Sequence, residues 1–190
     1  MFRQLSNQLA AAAKSTEQPK AMAPTLRTDI YAAIDQAKAW LVGGGLGQAG
    51  DGVSYSSILE PIQKHFPAVK MGLEKIGSAE NEASVVVCGV TNMILEMSRW
   101  EGMASGMAMR TWADSLVEAH GRLPGGARRD GIAKGIVRGI SQNADITLMT
   151  KEFTAKIQIM SSLKSVCSGI YGAGNPEARQ AEAVLNSRFI

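Results

Sequence analysis

Apolar residues recur at spacings of three and four along the last third of the chain, and this period limits the fold more than any other feature. The run comprises Ile146, Met149, Phe153, Ile157, Met160, Leu163, Cys167 and Ile170. Such spacing places side chains on one face of an α-helix, so we expect a helix over 145–171. Leu148, Ile159 and Val166 lie off that face, which predicts a scaffold helix that is buried on several sides, either as the central helix of a bundle or as a helix shared with a neighbouring chain.

Helical spacing occurs through most of the remaining sequence, whereas no run of strand length alternates apolar and polar residues. We expect further helices over 26–42, from about 54, over 68–76, from 82 through 100 with a continuation to 120, over 128–141 and over 177–186. No repeat of solenoid period is visible. A chain of 190 residues fits one ordinary domain. The sequence therefore predicts an all-α fold, with an N-terminal arm and linker (1–24) before a single helical domain (25–190) of about seven helices.

Composition and charge exclude several classes of protein. Hydrophobic residues make up 45% of the chain and aromatic residues 5%, with ten Met and 20 Gly, so we expect a soluble protein with an aliphatic core. The longest uncharged apolar run, 83–95, is shorter than the roughly 20 residues that span a bilayer, which predicts no transmembrane segment. Cys88 and Cys167 lie in apolar stretches and are expected to be buried thiols. This favours a reducing compartment but leaves export or targeting by the N-terminal arm open.

No set of residues has the spacing that catalysis requires. The segment 45–50 matches the G-x-G-x-x-G pattern of dinucleotide sites, but a predicted helix precedes it and no second strand follows, so we interpret it as a loop. His65 and His120 lie at helix ends, where the helix dipole explains them. Cys88 with His120 could form a nucleophile and base only if the fold brought them together. We therefore expect no enzyme, no cofactor and no metal.

The most specific pattern is a register of glycines at every fourth position, with isoleucines beside it. Each glycine inside a helix destabilises it by about 0.5–1 kcal/mol relative to alanine, so a close backbone contact should compensate. Such a contact could be a crossing within the chain or an interface between chains. We predict an assembly interface comprising Gly131, Gly135, Gly139, Ile132 and Ile136, together with the second small-residue face at Gly102 and Gly106. On this interpretation, Gly135→Leu should keep the helix content and abolish assembly.

Basic residues cluster around the same segment. Between Arg122 and Arg138, the only acidic residue is Asp130. If this surface meets a nucleic acid, the expected phosphate contacts are Arg128, Arg129, Lys134 and Arg138. The stacking aromatics typical of many nucleic-acid modules are not seen nearby, which favours an ordinary solvated face.

These patterns favour a non-enzymatic structural subunit, which forms a homo-oligomer or docks into a larger assembly through small-residue and Met-rich helix faces. The alternative is a capsid-like protein that coats nucleic acid with its basic surface. The acid-poor N-terminus and the long helix near the C-terminus are loosely similar in style to exported structural subunits of bacterial secretion machines. No residue motif carries that likeness, so no residue role is taken from it.

Overall fold

A computed structural model of the chain describes residues 26–43, 79–98, 101–147 and 153–172, with single positions at 58, 60, 176, 179, 182, 183 and 186. These residues form helices and no strand, so the predicted all-α class is confirmed for the described part. The five helices in the described ranges are α1 (Leu26–Val42), α2 (Ala79–Met97), α3 (Gly102–Arg122), α4 (Ala127–Thr147) and α5 (Phe153–Tyr171). The predicted N-terminal arm, the 45–50 loop and the helix over 68–76 lie outside the described residues. The total of seven helices therefore stays a prediction.

None of the helices within the described ranges combines the length and apolar character needed to cross a membrane.

The first helix has the bounds that its apolar stripe predicts. Ile30, Ile34, Ala37 and Leu41 recur at helical spacing and all are fully buried. The exposed positions of α1 carry polar residues or alanine, so one face packs on the rest of the chain and the other meets solvent.

The structure differs from the sequence at two helix boundaries. The helix over 82–100 does not continue to 120, because α2 ends at Met97 and a separate helix, α3, begins at Gly102. The predicted helix over 145–171 is also divided, because α4 continues through Thr147 and α5 begins only at Phe153. In both cases apolar spacing continues across the break, so periodicity alone could not locate the turn.

Helices α2 and α3 form an antiparallel hairpin. The hydroxyl of Ser105 donates to the carbonyl oxygen of Ile94 at 2.7 Å, and the indole nitrogen of Trp112 donates to Thr91 Oγ1 at 3.0 Å. The later residue of α3 therefore contacts the earlier residue of α2, as in an antiparallel pair. Trp112 is fully buried, so its N–H needs this partner inside the core.

The second pair of helices, α4 and α5, stacks on the first pair in parallel. Along α4, Gly131 lies against Ala83 of α2 and Gly139 lies against Thr91. Along α5, Gln158 lies against Gly106 of α3 and Gly169 lies against Val117. In each pair of helices, the later residue of one contacts the later residue of the other, so α4 runs parallel to α2 and α5 runs parallel to α3. The fold is therefore two stacked helical hairpins in two layers, with α2 and α4 in one layer and α3 and α5 in the other.

Helix α1 extends the layer that contains α3 and α5. Arg27 forms an ion pair with Glu101 at 2.5 Å, just before α3 begins, and Lys38 forms one with Glu118 near its end. These two contacts show that α1 runs parallel to α3. Three parallel helices thus form one face of the protein.

The most buried helix is α2. All side chains from Glu82 to Leu95 are buried, because α2 contacts α1, α3 and α4. The predicted central position of the helix over 145–171 is wrong for the described part, because α5 keeps Phe153 74% exposed and Ile157 44% exposed. The alternative that this helix is shared with a neighbouring chain stays a prediction. The second apolar face of α5 contributes to the surface described below.

Candidate functional site

The glycine register of α4 allows that helix to lie directly on α2. A Cβ atom added at Gly135 would lie 2.7 Å from Val87 Cβ and 2.8 Å from the carbonyl oxygen of Ser84. At Gly139 the nearest atom would be Thr91 Cγ2, at 3.2 Å. Such distances are shorter than ordinary carbon contacts, so the absence of side chains lets the two backbones approach.

The other residues predicted for the assembly interface are also used inside the chain. Ile132 and Ile136 are fully buried, and Gly102 is buried at the start of α3. Gly106 lies under the side chain of Gln158 of α5. In the described residues these faces are covered by helices of the same chain, which is the first of the two alternatives, a crossing within the chain. An assembly interface at these residues stays a prediction.

The residues predicted as phosphate contacts have partners within the chain. Arg128 donates through Nη1 to the carbonyl oxygen of Leu41 at 3.0 Å, and its guanidinium lies 4.9 Å from the ring centroid of Trp40. Arg129 donates to His120, and Lys134 forms an ion pair with Glu80.

Arg138 also interacts within the chain, acting electrostatically on Cys88, and it is partly buried like Arg128 and Arg129. These contacts hold the four side chains against the protein without testing whether they also meet phosphates, so phosphate binding stays a prediction.

The two cysteines are buried free thiols, as the sequence predicts. Burial raises the pKa of Cys88 to about 11 and that of Cys167 to about 12. Both groups are protonated at neutral pH, and a protonated thiol is a poor nucleophile and a poor metal ligand. The structure gives no support to a nucleophile at Cys88.

His120 has a structural contact of its own. Its Nε2 accepts a hydrogen bond from Arg129 Nε at 3.2 Å. Burial, followed by the positive charge of Arg129, lowers the pKa of His120. His65 and the 45–50 segment lie outside the described residues. Among the residues that the structure does describe, no group of three or more His, Cys, Asp or Glu side chains is arranged to hold a metal.

The described part of the chain contains a concave surface, an open trough of about 570 Å³. Its floor is α3, and its walls are Tyr31 of α1 on one side and α5 on the other. Gly106 and Ala113 contribute to the lining, and their small size keeps α3 recessed between its neighbours. We call this feature the α3 trough.

One end of the α3 trough is apolar: Met107 and Ile157 line it, and Met103 and Phe153 lie one turn before them, just outside its lining. Met103 and Met107 follow each other by one turn on α3, with 45% and 60% of their surface exposed. Phe153 and Ile157 do the same on α5, with 74% and 44% exposed. Because α3 and α5 run parallel, all four side chains lie at the same end of the two helices. We call these four residues the apolar end.

The other end of the α3 trough is polar and contains two charges of opposite sign. Arg110 and Asp114 are exposed on α3, one turn apart, opposite Ser161 and Ser165 of α5. Neither Arg110 nor Asp114 has a hydrogen bond or ion pair with any residue that the structure describes. This sets them apart from Arg27, Lys38 and Lys134, which all have acidic partners.

Only part of this surface is visible as a pattern in the sequence. Methionines beside Gly102 and Gly106 indicated a Met-rich face, but their neighbours Phe153 and Ile157 were assigned to a core stripe. Arg110 and Asp114 are ordinary surface residues in the sequence, and only the packing of three helices makes them neighbours of the apolar end.

No protein-family model, curated protein or solved structure matches this chain, so its function is inferred from its own surfaces.

Proposed function

We propose that the protein is a non-enzymatic interaction subunit that docks on another protein chain through the α3 trough. The observation that carries this proposal is the apolar end, where four large hydrophobic side chains are exposed together. The small-residue faces are covered within the described fold, whereas the methionines of α3, which the sequence also indicated, remain exposed and are part of the proposed docking surface.

Several properties of the apolar end support a binding role. Isolated exposed hydrophobic residues are normal, whereas contiguous ones beside a concave surface are characteristic of interaction sites. Methionine side chains are flexible and polarisable, so they adapt to the shape of a partner. The rest of α3 and α5 is well packed: Leu116, Ile159 and Val166 are fully buried. The exposed residues therefore do not reflect a poorly formed core.

The test is a double substitution, Met107→Glu with Ile157→Glu. Both side chains are exposed, so we expect the fold to remain and binding to be lost, because a partner would have to bury two unpaired carboxylates. Wild type and variant would be compared by sedimentation velocity for self-association. Quantitative mass spectrometry of proteins cross-linked to each form in the source cells would detect other partners.

Ala39→Glu is the matched control, since Ala39 is also an exposed apolar residue on a helix but does not line the α3 trough. We expect this control to behave as the wild type does. Identical size distributions and identical cross-linked partners for the double variant and the wild type would refute docking through this surface.

The nucleic-acid alternative has less support. In the described part of the chain, its four candidate residues interact within the fold, and the formal net charge of +3 is modest.

A further inference from the structure

We infer that the occupant of the α3 trough is an amphipathic α-helix of a different protein, with two apolar side chains, a carboxylate and a base in that order along one face. This inference rests on the proposed function and adds the chemistry of the partner.

The dimensions of the trough fit one helix. The trough floor extends from Gly106 to Asp114 of α3, which is roughly 12 Å at a rise of 1.5 Å per residue, and Met103 extends the surface by about one further turn, to roughly 17 Å. The floor lies between two parallel helices, and an amphipathic helix can bury a stripe of residues in such a groove. A stripe of this length presents about four side chains, one for each turn.

The order of the side chains in the trough specifies the order in the partner. The apolar end is followed along α3 by Arg110 and then by Asp114. A partner that was apolar throughout would desolvate both charges and leave them only each other, one turn apart on α3, which is less favourable than pairing each charge across the interface. A carboxylate opposite Arg110 and a base opposite Asp114 would compensate both charges and fix the register of the partner.

A second copy of this chain does not satisfy both requirements. A two-fold axis midway between Arg110 and Asp114 would pair each charge with its opposite in the other copy. The same axis would place Met107 near the second copy's Val117 rather than near its methionines. An axis at the methionines would pair the apolar ends and leave both charges unmatched. A symmetric interface therefore cannot match the apolar and charged parts of this surface together.

The experiment exchanges the charges on both sides of the interface. The probes are fluorescein-labelled, alanine-based helical peptides of about five turns, displaying Leu, Leu, Glu and Lys on one face at one-turn intervals. The sequence is made in both chain directions, because the trough does not fix the polarity of the partner. A second pair of peptides has Glu and Lys exchanged. The protein partner is the full chain, either wild type or the double variant Arg110→Asp with Asp114→Arg.

The double variant preserves the net charge, and its thermal unfolding should match that of the wild type because neither residue has a partner in the described structure. By fluorescence anisotropy, we expect the wild type to bind the matched peptide in one direction about tenfold more tightly than the exchanged peptide. The double variant should show the reverse preference. Equal affinity for matched and exchanged peptides, or no binding in either direction, would overturn the inference.

The outcomes also separate this inference from the proposed function. If both peptides bind equally and Met107→Glu with Ile157→Glu abolishes binding, docking at the apolar end stands and the charge-matched partner is rejected. If the cellular partners and the size distribution are unaffected by that pair of substitutions, the proposed function itself fails. Concentration-dependent dimerisation that is lost in the same variant would identify a second copy as the occupant and reject the different partner.

Discussion

At Gly135, the missing side chain allows α4 to lie against α2. We expect Gly135→Leu to lower the free energy of unfolding by about 1–3 kcal/mol, because the added atoms would overlap Val87 and the backbone of Ser84. The gain in helix propensity on leaving glycine, up to about 1 kcal/mol, would offset only part of this loss. Urea denaturation monitored by circular dichroism measures the difference. This expectation replaces the earlier one of retained structure with lost assembly.

Gly121 provides the control, because a Cβ atom there would meet no heavy atom within 4 Å. Gly121→Ala should raise stability by about 0.5–1 kcal/mol through helix propensity alone. A higher melting temperature for Gly135→Leu would contradict the close packing of α4 on α2.

His120 should make stability depend on pH. Its folded pKa is lowered by burial and by Arg129, with Asp130 opposing in part. The unfolded chain therefore takes up a proton first, and the free energy of unfolding should fall as the pH drops through the ordinary histidine pKa near 6.5. This contribution is present above that pH and is lost below it.

The comparison is with His120→Gln, which keeps a side-chain acceptor for Arg129 but does not titrate. Urea denaturation between about pH 7 and pH 5 should show a steeper loss of stability in the wild type than in the variant. Parallel curves for the two proteins would show that His120 does not contribute.

The sequence predicts the burial or close packing of a residue well where that property depends on its neighbours in the chain. Both cysteines are buried, and the glycine register does mark a close helix contact. The partner of that register could not be predicted, since a stripe of small residues specifies close approach but not which backbone approaches. The structure identifies α2 of the same chain through Val87 and Ser84.

At the scale of helices, the bounds of α1 follow from its stripe, its preceding proline and the glycines after it. The ends of α2 and α4 and the starts of α3 and α5 could not be predicted because the apolar period does not change there. In α5 the same period also hid the distinction between the buried Ile159 and the exposed Phe153 and Ile157. Spacing gives the faces of a helix, but the neighbours decide which faces are buried.

Arg128 joins the start of α4 to the end of α1, and its removal should be costly. Arg128→Met would remove the hydrogen bond to the carbonyl oxygen of Leu41 and the contact with the ring of Trp40. We expect a loss of about 2 kcal/mol in the free energy of unfolding. Arg128→Lys should lose less stability than Arg128→Met but more than none. Lysine lacks the planar guanidinium group, which donates to the Leu41 carbonyl oxygen and stacks on the Trp40 ring at the same time.

Arg122→Met is the control for this measurement. Arg122 forms an exposed ion pair with Glu118 one turn away, and such pairs contribute little. Urea denaturation should therefore show a much smaller change than for Arg128→Met. Equal changes would mean that the contact of Arg128 with α1 does not stabilise the fold.

At the scale of the whole molecule, the stacking of two hairpins was not foreseen, because the hairpins share no visible sequence repeat. Parallel stacking depends on which helix faces match, and here the glycines of α4 and the small residues of α3 determine it. The α3 trough combines Tyr31, Met107 and Ile157 from three helices that are far apart in the chain. No local pattern could bring these residues together, so the candidate site could not be found before the fold was known.

The position of α1 has a consequence for the order in which the protein folds. Contacts of α1 with α3 and α4 join residues 74, 80 and 87 positions apart, whereas hydrogen bonds within the α2–α3 hairpin join residues 11 and 21 apart. Closing a longer loop loses more chain entropy, so α1 should be added after the hairpin has formed. In native-state hydrogen exchange, its amides should then open before those of α2. Since Tyr31 is part of α1, each such opening would remove one wall of the trough.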